Sequence, residues 1–94
     1  MSVTAPSAEN FEQEVRRRWA RAEELGLRTV GIESGDVHKA VGGYPGRNHR
    51  MPLCCGVMKR LMKSGDRITR QPESGQGASL MIQYKLPRNA RDQA

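Results

Sequence analysis

The residues best suited to chemistry lie between positions 47 and 76, and most are cations or amides. Arg47, Asn48, His49 and Arg50 stand together ahead of a helix-forming stretch, and Lys59, Arg60 and Lys63 follow within about one turn of one another. Arg67 and Arg70 come next in a segment of β character, and Gln76 lies in the glycine-containing turn beyond it. Cations gathered this closely repel one another unless a polyanion neutralises them, and phosphate is the matching counter-charge. Asn48 and Arg50 also carry the bidentate geometry that suits adenine and guanine edges respectively. A helix start adds outward-pointing N–H groups, so a phosphate near Arg50 or Met51 gains amide hydrogen bonds as well as Coulomb attraction.

Other chemistries fit less well. His38, His49, Cys54 and Cys55 are metal-ligand types, but adjacent cysteines project about 100° apart on a helix and lack the spacing of a chelating pair. Neither a metal site nor a cofactor is expected. Glu33, Asp36, His38 and His49 could serve a hydrolytic nuclease, yet no paired carboxylates with a nearby lysine, phosphate loop or nucleophile signature accompany them. The reading is therefore non-catalytic. Cys54 reads as core, whereas Cys55 reads as an exposed thiol, either at the binding surface or merely incidental. Gly56 is also placed at that surface, because a helical glycine costs about 1 kcal/mol and a missing side chain lets a partner approach closely; the alternatives are close contact with another segment of the protein or a tolerated weakness. His38 reads as a surface or capping residue.

Ninety-four residues provide for one small domain. Only 36% are hydrophobic and four are aromatic, so the core must be built mainly from Val, Ile, Leu and Met. The net charge of +6 arises from position 48 onward, where nine Lys/Arg face three Asp/Glu; residues 1–47 hold seven of each. No apolar run approaches the roughly 18 residues of a membrane span, and the N-terminus lacks signal-peptide order. A cytoplasmic or nucleoid location follows as the expectation. Two adjacent cysteines cannot make a secreted disulfide framework.

The elements that must position these side chains are legible in outline. Phe11, Val15, Trp19 and Ala22 form one helical stripe from about Ser7 to Leu25, with Ser7 or Asn10 as cap and Gly26 as stop. Its arginines read as a solvated face balanced by glutamates. Leu27 to Ile32 alternates like a short strand, and Ser34 is a cap for a second helix through Val37, Ala40 and Val41, ended by Gly42-Gly43. A third helix is expected from about Met51 to Lys63, with Pro52 in its first turn and Gly65 beyond its end. Arg67 to Gln71 and Ser79 to Leu86 read as paired strands, with Leu80, Ile82, Tyr84 and Leu86 on one face. The intervening PESGQGA reads as a tip unable to bury itself, and residues 88–94 as a frayed basic tail.

This order of helix, short strand, helix, turn, helix and two-stranded hairpin resembles the winged helix-turn-helix superfamily. The resemblance implies an α+β fold: three helices, a short strand after the first, and a C-terminal β-hairpin wing. The domain would span 7–86, between a flexible N-terminus (1–6) and a flexible basic tail (87–94). It implies a sequence-preferring protein of double-stranded DNA, with the third helix in the major groove and the wing on backbone or minor groove, serving transcription regulation or DNA tethering. The turn GGYPGRNHR is longer than is usual for that motif. The alternative is an adaptor for an acidic protein partner, anchored by an exposed Met51, Cys55 and Met62 margin; a homodimer is a further option, and few aromatics make RNA a weaker one.

Overall fold

The computed structural model describes residues 6–42, 49–73 and 75–88. The first helix, α1 (Ala8–Glu24), starts at a reciprocal cap: Ser7 Oγ accepts the Asn10 N–H at 3.2 Å, and Asn10 Oδ1 accepts the Ser7 N–H at 2.9 Å. Its apolar stripe, Phe11, Val15, Trp19 and Ala22, is buried. Gly26, at φ +76°, supplies the left-handed residue that ends it. Leu27 then donates its N–H back to the Ala22 carbonyl at 3.0 Å, so the following strand, β1 (Thr29–Glu33), begins two residues later than the alternation suggests.

The second helix, α2 (Ser34–Val41), is capped at Glu33, not Ser34. Ser34 is instead the first helical residue, and its hydroxyl donates to the Gly77 carbonyl at 2.6 Å. The third helix, α3 (Met51–Arg60), has Pro52 in its first turn as expected and stops three residues short of Lys63. There Met62 N–H reaches only back to the Lys59 carbonyl, and the Lys63 N–H is captured by Asp66 Oδ2 at 2.7 Å.

Two further strands, β2 (Arg67–Arg70) and β3 (Met81–Lys85), complete an antiparallel sheet in the order β1-β3-β2. The fold is thus α+β, three helices with a three-stranded sheet whose last strand is central. Val30 lies opposite Tyr84 and Ile32 opposite Ile82; on the other side Arg67 faces Gln83 and Ile68 faces Ile82. A bulge after Ile68 brings Arg70 opposite Met81. Alternation along β3 then sorts its two faces: Leu80, Ile82, Tyr84 and Leu86 are buried, while Gln83 and Lys85 share the opposite face with Arg67 and Arg70.

The core joins the buried face of the sheet to α1, α2 and α3. Trp19 meets Tyr84 edge to face with centroids 5.2 Å apart, and the Tyr84 hydroxyl donates to the Met58 carbonyl at 2.8 Å. Such an aromatic pair contributes about 0.5–1.5 kcal/mol beyond area burial. Residues that the sequence left outside the core lie inside the protein. His38 is buried between Phe11 and the start of α3, which makes it a capping residue and not a surface one. Arg88, assigned to the tail, is buried over the Trp19 ring at 4.2 Å. Among the described residues no helix is long and apolar enough to cross a membrane.

Candidate nucleic-acid interface

The start of α3 is set by His38. Its Nε2 accepts the Arg50 N–H at 2.8 Å, satisfying a donor at the helix entrance and fixing where the chain turns inward. Arg50 and His49 are exposed immediately before the helix. Arg47 and Asn48 lie outside the described residues, as does the Tyr44-Pro45-Gly46 turn.

Along α3, Pro52, Gly56 and Arg60 are exposed, and Lys59 is partly so. A Cβ added at Gly56 would meet no heavy atom within 4 Å, so no other part of the described chain explains this glycine. The sequence of α3, MPLCCGVMKR, contains no acid. Its cations nevertheless differ in state. Arg60 is paired with Glu12 of α1 at 2.9 Å, and Glu12 also holds Arg16 at 2.6 Å. Hydrogen bonds from Arg16 first, then Arg60, keep the Glu12 carboxyl below its usual range. Lys59 instead donates to the Gly75 carbonyl at 2.8 Å, which spends no counter-charge and leaves its positive charge in place. Lys63, half-buried after the helix, forms no ion pair among the described residues.

Cys55 is the clearest correction. It is fully buried, and its thiol lies 3.4 Å from the Gly77 carbonyl. The segment after β2, expected to be an unburied tip, folds back across α2 and α3: Gly35 donates its N–H to the Ala78 carbonyl, while Ser34 and Cys55 both reach the Gly77 carbonyl. Burial therefore pushes the Cys55 thiol above its ordinary value despite the nearby Lys59 charge. Met51 is buried too and Met62 half-buried, which removes the apolar margin proposed as an adaptor anchor. Gln76 is exposed on this folded-back loop, next to Gly75.

Arg67 and Arg70 are exposed on the open face of the sheet, away from the core. Arg67 donates to Gln83 Oε1 at 3.2 Å, and Arg70 pairs with Glu33 at 3.3 Å, an exposed contact of the kind worth about 0–1 kcal/mol. Beside Arg67 lies a shallow depression of about 390 Å3 lined by Arg28, Gly65, Arg67, Gln83 and Lys85, among others. Sequence reasoning passed over Arg28 and Lys85. Lys85 was legible as the opposite parity from Leu86 on the last strand, but Arg28 joins it only because β1 pairs with β3.

The structure thus separates the sequence-derived cations into two surfaces. One combines Arg50, Gly56 and Lys59 with the Gly75–Gln76 loop, with Lys63 beyond the end of the helix; the other is the open face of the sheet. Among the described residues no group of three or more His, Cys, Asp or Glu side chains is placed to hold a metal ion. Compared with known protein families, curated proteins and solved structures, the chain matches none.

Proposed function

We propose that this chain is a winged-helix domain that binds duplex DNA, chiefly through the phosphate backbone, with α3 and the β2–β3 loop as its contact surface. The observation that supports this reading is the Lys59–Gly75 hydrogen bond, which joins the cationic face of the helix to the loop without neutralising the lysine. Gly56 supports it by leaving that surface open to close approach. Arg50 would meet phosphate or a base edge at the helix start, Lys59 and Lys63 would meet phosphate further along, and Arg67 and Arg70 would add charge from the sheet.

Two placements shift the weight from base reading to backbone contact. Arg60 is engaged by Glu12, and Cys55 is inside the protein. Sequence preference then rests on Arg50 and on the residues before it, and DNA tethering becomes the more natural use than fine discrimination among sites.

Anisotropy titrations of the full chain against random duplex, single-stranded DNA and RNA, each at two salt concentrations, test this function. Duplex should bind tightest, with log affinity falling by about 0.9 per phosphate contact for each tenfold rise in salt. Binding that is indifferent to salt, or tightest for RNA, would reject it.

A further inference from the structure

The two edges of the sheet are protected very differently. At β2 the bulge and the flanking Arg67 and Arg70 guard the edge against added strands. At β1 the sequence TVGIE has no proline, lysine or bulge, and Gly31 at its centre carries no side chain to shield the backbone. The hydrogen-bond parity can be worked out from the ladder ends, where Leu86 N–H donates to the Arg28 carbonyl and Ser34 N–H to the Leu80 carbonyl. Even-numbered residues of β1 therefore face β3, and the N–H and C=O groups of Thr29, Gly31 and Glu33 point to the outer edge, where no strand pairs with them among the described residues.

A hollow of about 330 Å3 runs beside this edge, between β1 and α1. It touches Val30, Gly31 and Ile32 in succession, and consecutive strand residues point to opposite faces, so it must follow the backbone edge itself. Leu25 and Leu27, 65% and 48% exposed, line it and are two of the three large exposed apolar side chains among the described residues. Its α1 wall is cationic. Arg17 and Arg18 share Glu14, while Arg21 has no ion pair among the described residues.

We propose that the β1 edge and this wall of α1 form a strand-addition site for an extended segment of a partner protein in which acidic and apolar residues alternate. The N–H and C=O groups unpaired among the described residues supply the ladder, and the leucines and arginines that line the hollow offer apolar and cationic contacts to the added segment. A second copy of this chain is the less suitable occupant, because pairing two β1 edges would bring two arginine walls together. The site is separate from the α3 surface and does not depend on DNA binding.

The test uses the full chain with a fluorescein-labelled heptapeptide alternating glutamate and leucine, and a control with lysine for glutamate. The acidic peptide should bind, the lysine peptide should not, and amide exchange should slow at Thr29, Gly31 and Glu33. Gly31→Pro removes one outward donor while sparing the β1–β3 ladder, and Arg21→Glu reverses an exposed charge remote from the core; each should weaken binding roughly tenfold. Circular dichroism establishes that Gly31→Pro is folded, and Arg21→Glu decides the matter where it is not. Equal binding of both peptides, exchange protection confined to α3, displacement of the peptide by duplex DNA from β1, or an edge-paired dimer of the chain alone would each overturn the proposal.

Discussion

Arg88 and Asp66 form a bidentate ion pair, Nη1 to Oδ1 at 2.9 Å and Nη2 to Oδ2 at 2.8 Å, in which the side chains are 4% and 0% exposed. Around the pair, Asp66 also accepts the N–H groups of Lys63 and Lys85 at 2.7 Å each, and Arg88 donates to the carbonyls of Leu61 and Lys85. The Arg88 N–H donates to Glu23 of α1 at 3.0 Å, and its guanidinium stacks on Trp19. One arginine beyond the last strand thus ties together α1, the exit of α3 and the end of the β2–β3 pair where β2 starts and β3 finishes.

Breaking that pair from one side leaves a buried charge alone. Arg88→Ala or Asp66→Asn should destabilise the fold by about 3–5 kcal/mol, read as a lower urea midpoint in circular dichroism. For a small domain of modest stability, either variant should be largely unfolded well below the wild-type midpoint. A loss under about 1 kcal/mol would mean the pair contributes no more than an exposed one.

The same carboxylate sets an acid limit. Burial by itself would raise the Asp66 pKa, but the Arg88 hydrogen bond and the backbone N–H groups of Lys85 and Lys63 outweigh it and hold the group below its ordinary value of 3.8. A carboxyl depressed on folding adds stability that is fully present above its unfolded pKa and is lost as pH falls through the folded one. Urea midpoints should therefore fall steeply below about pH 4, and Asp66→Asn should be lower throughout and flatter in that range.

Why some of this was legible and some was not can be traced to particular residues. Ser7, Gly26 and Pro52 act within a few residues of themselves, so local sequence identifies them. The parity of β3 likewise follows from its own alternation. Arg88, His38 and Cys55 act through partners 22, 12 and 22 positions away, and nothing adjacent to them in the chain signals those contacts. Cys55 sits on the apparent outer arc of its helix, and the return of the Gly75–Ala78 segment brings the Gly77 carbonyl against it. Arg60 was visible as a cation, but its exposed ion pair with Glu12, which also holds Arg16, depends on how α1 packs against α3.

The covered cysteines give a direct chemical readout. Burial first, and the neighbouring Cys55 second, push the Cys54 thiol up to about 12, and burial raises Cys55 as well. Since the thiolate is the reactive species, neither should react appreciably with Ellman's reagent in the folded chain at pH 8, and both should react rapidly in denaturant. Rapid labelling of Cys55 without unfolding would show the covering loop to be open.

Gly56 separates a structural role from a binding one. Gly56→Ala should stabilise α3 by about 0.5–1 kcal/mol, because the position is exposed and unobstructed. Gly56→Leu should leave the fold intact yet weaken DNA binding, measured by anisotropy, if a duplex approaches this face. Equal affinity for all three chains would place the contact elsewhere.

Two double charge reversals test the central claim most directly, measured by anisotropy against one random duplex at low salt. Arg50→Glu with Lys63→Glu should reduce affinity by well over tenfold and make the salt slope shallower by about 2, whereas Arg67→Glu with Lys85→Glu should cost clearly less. A larger loss from the sheet pair than from the α3 pair, or no loss from either, would contradict the account.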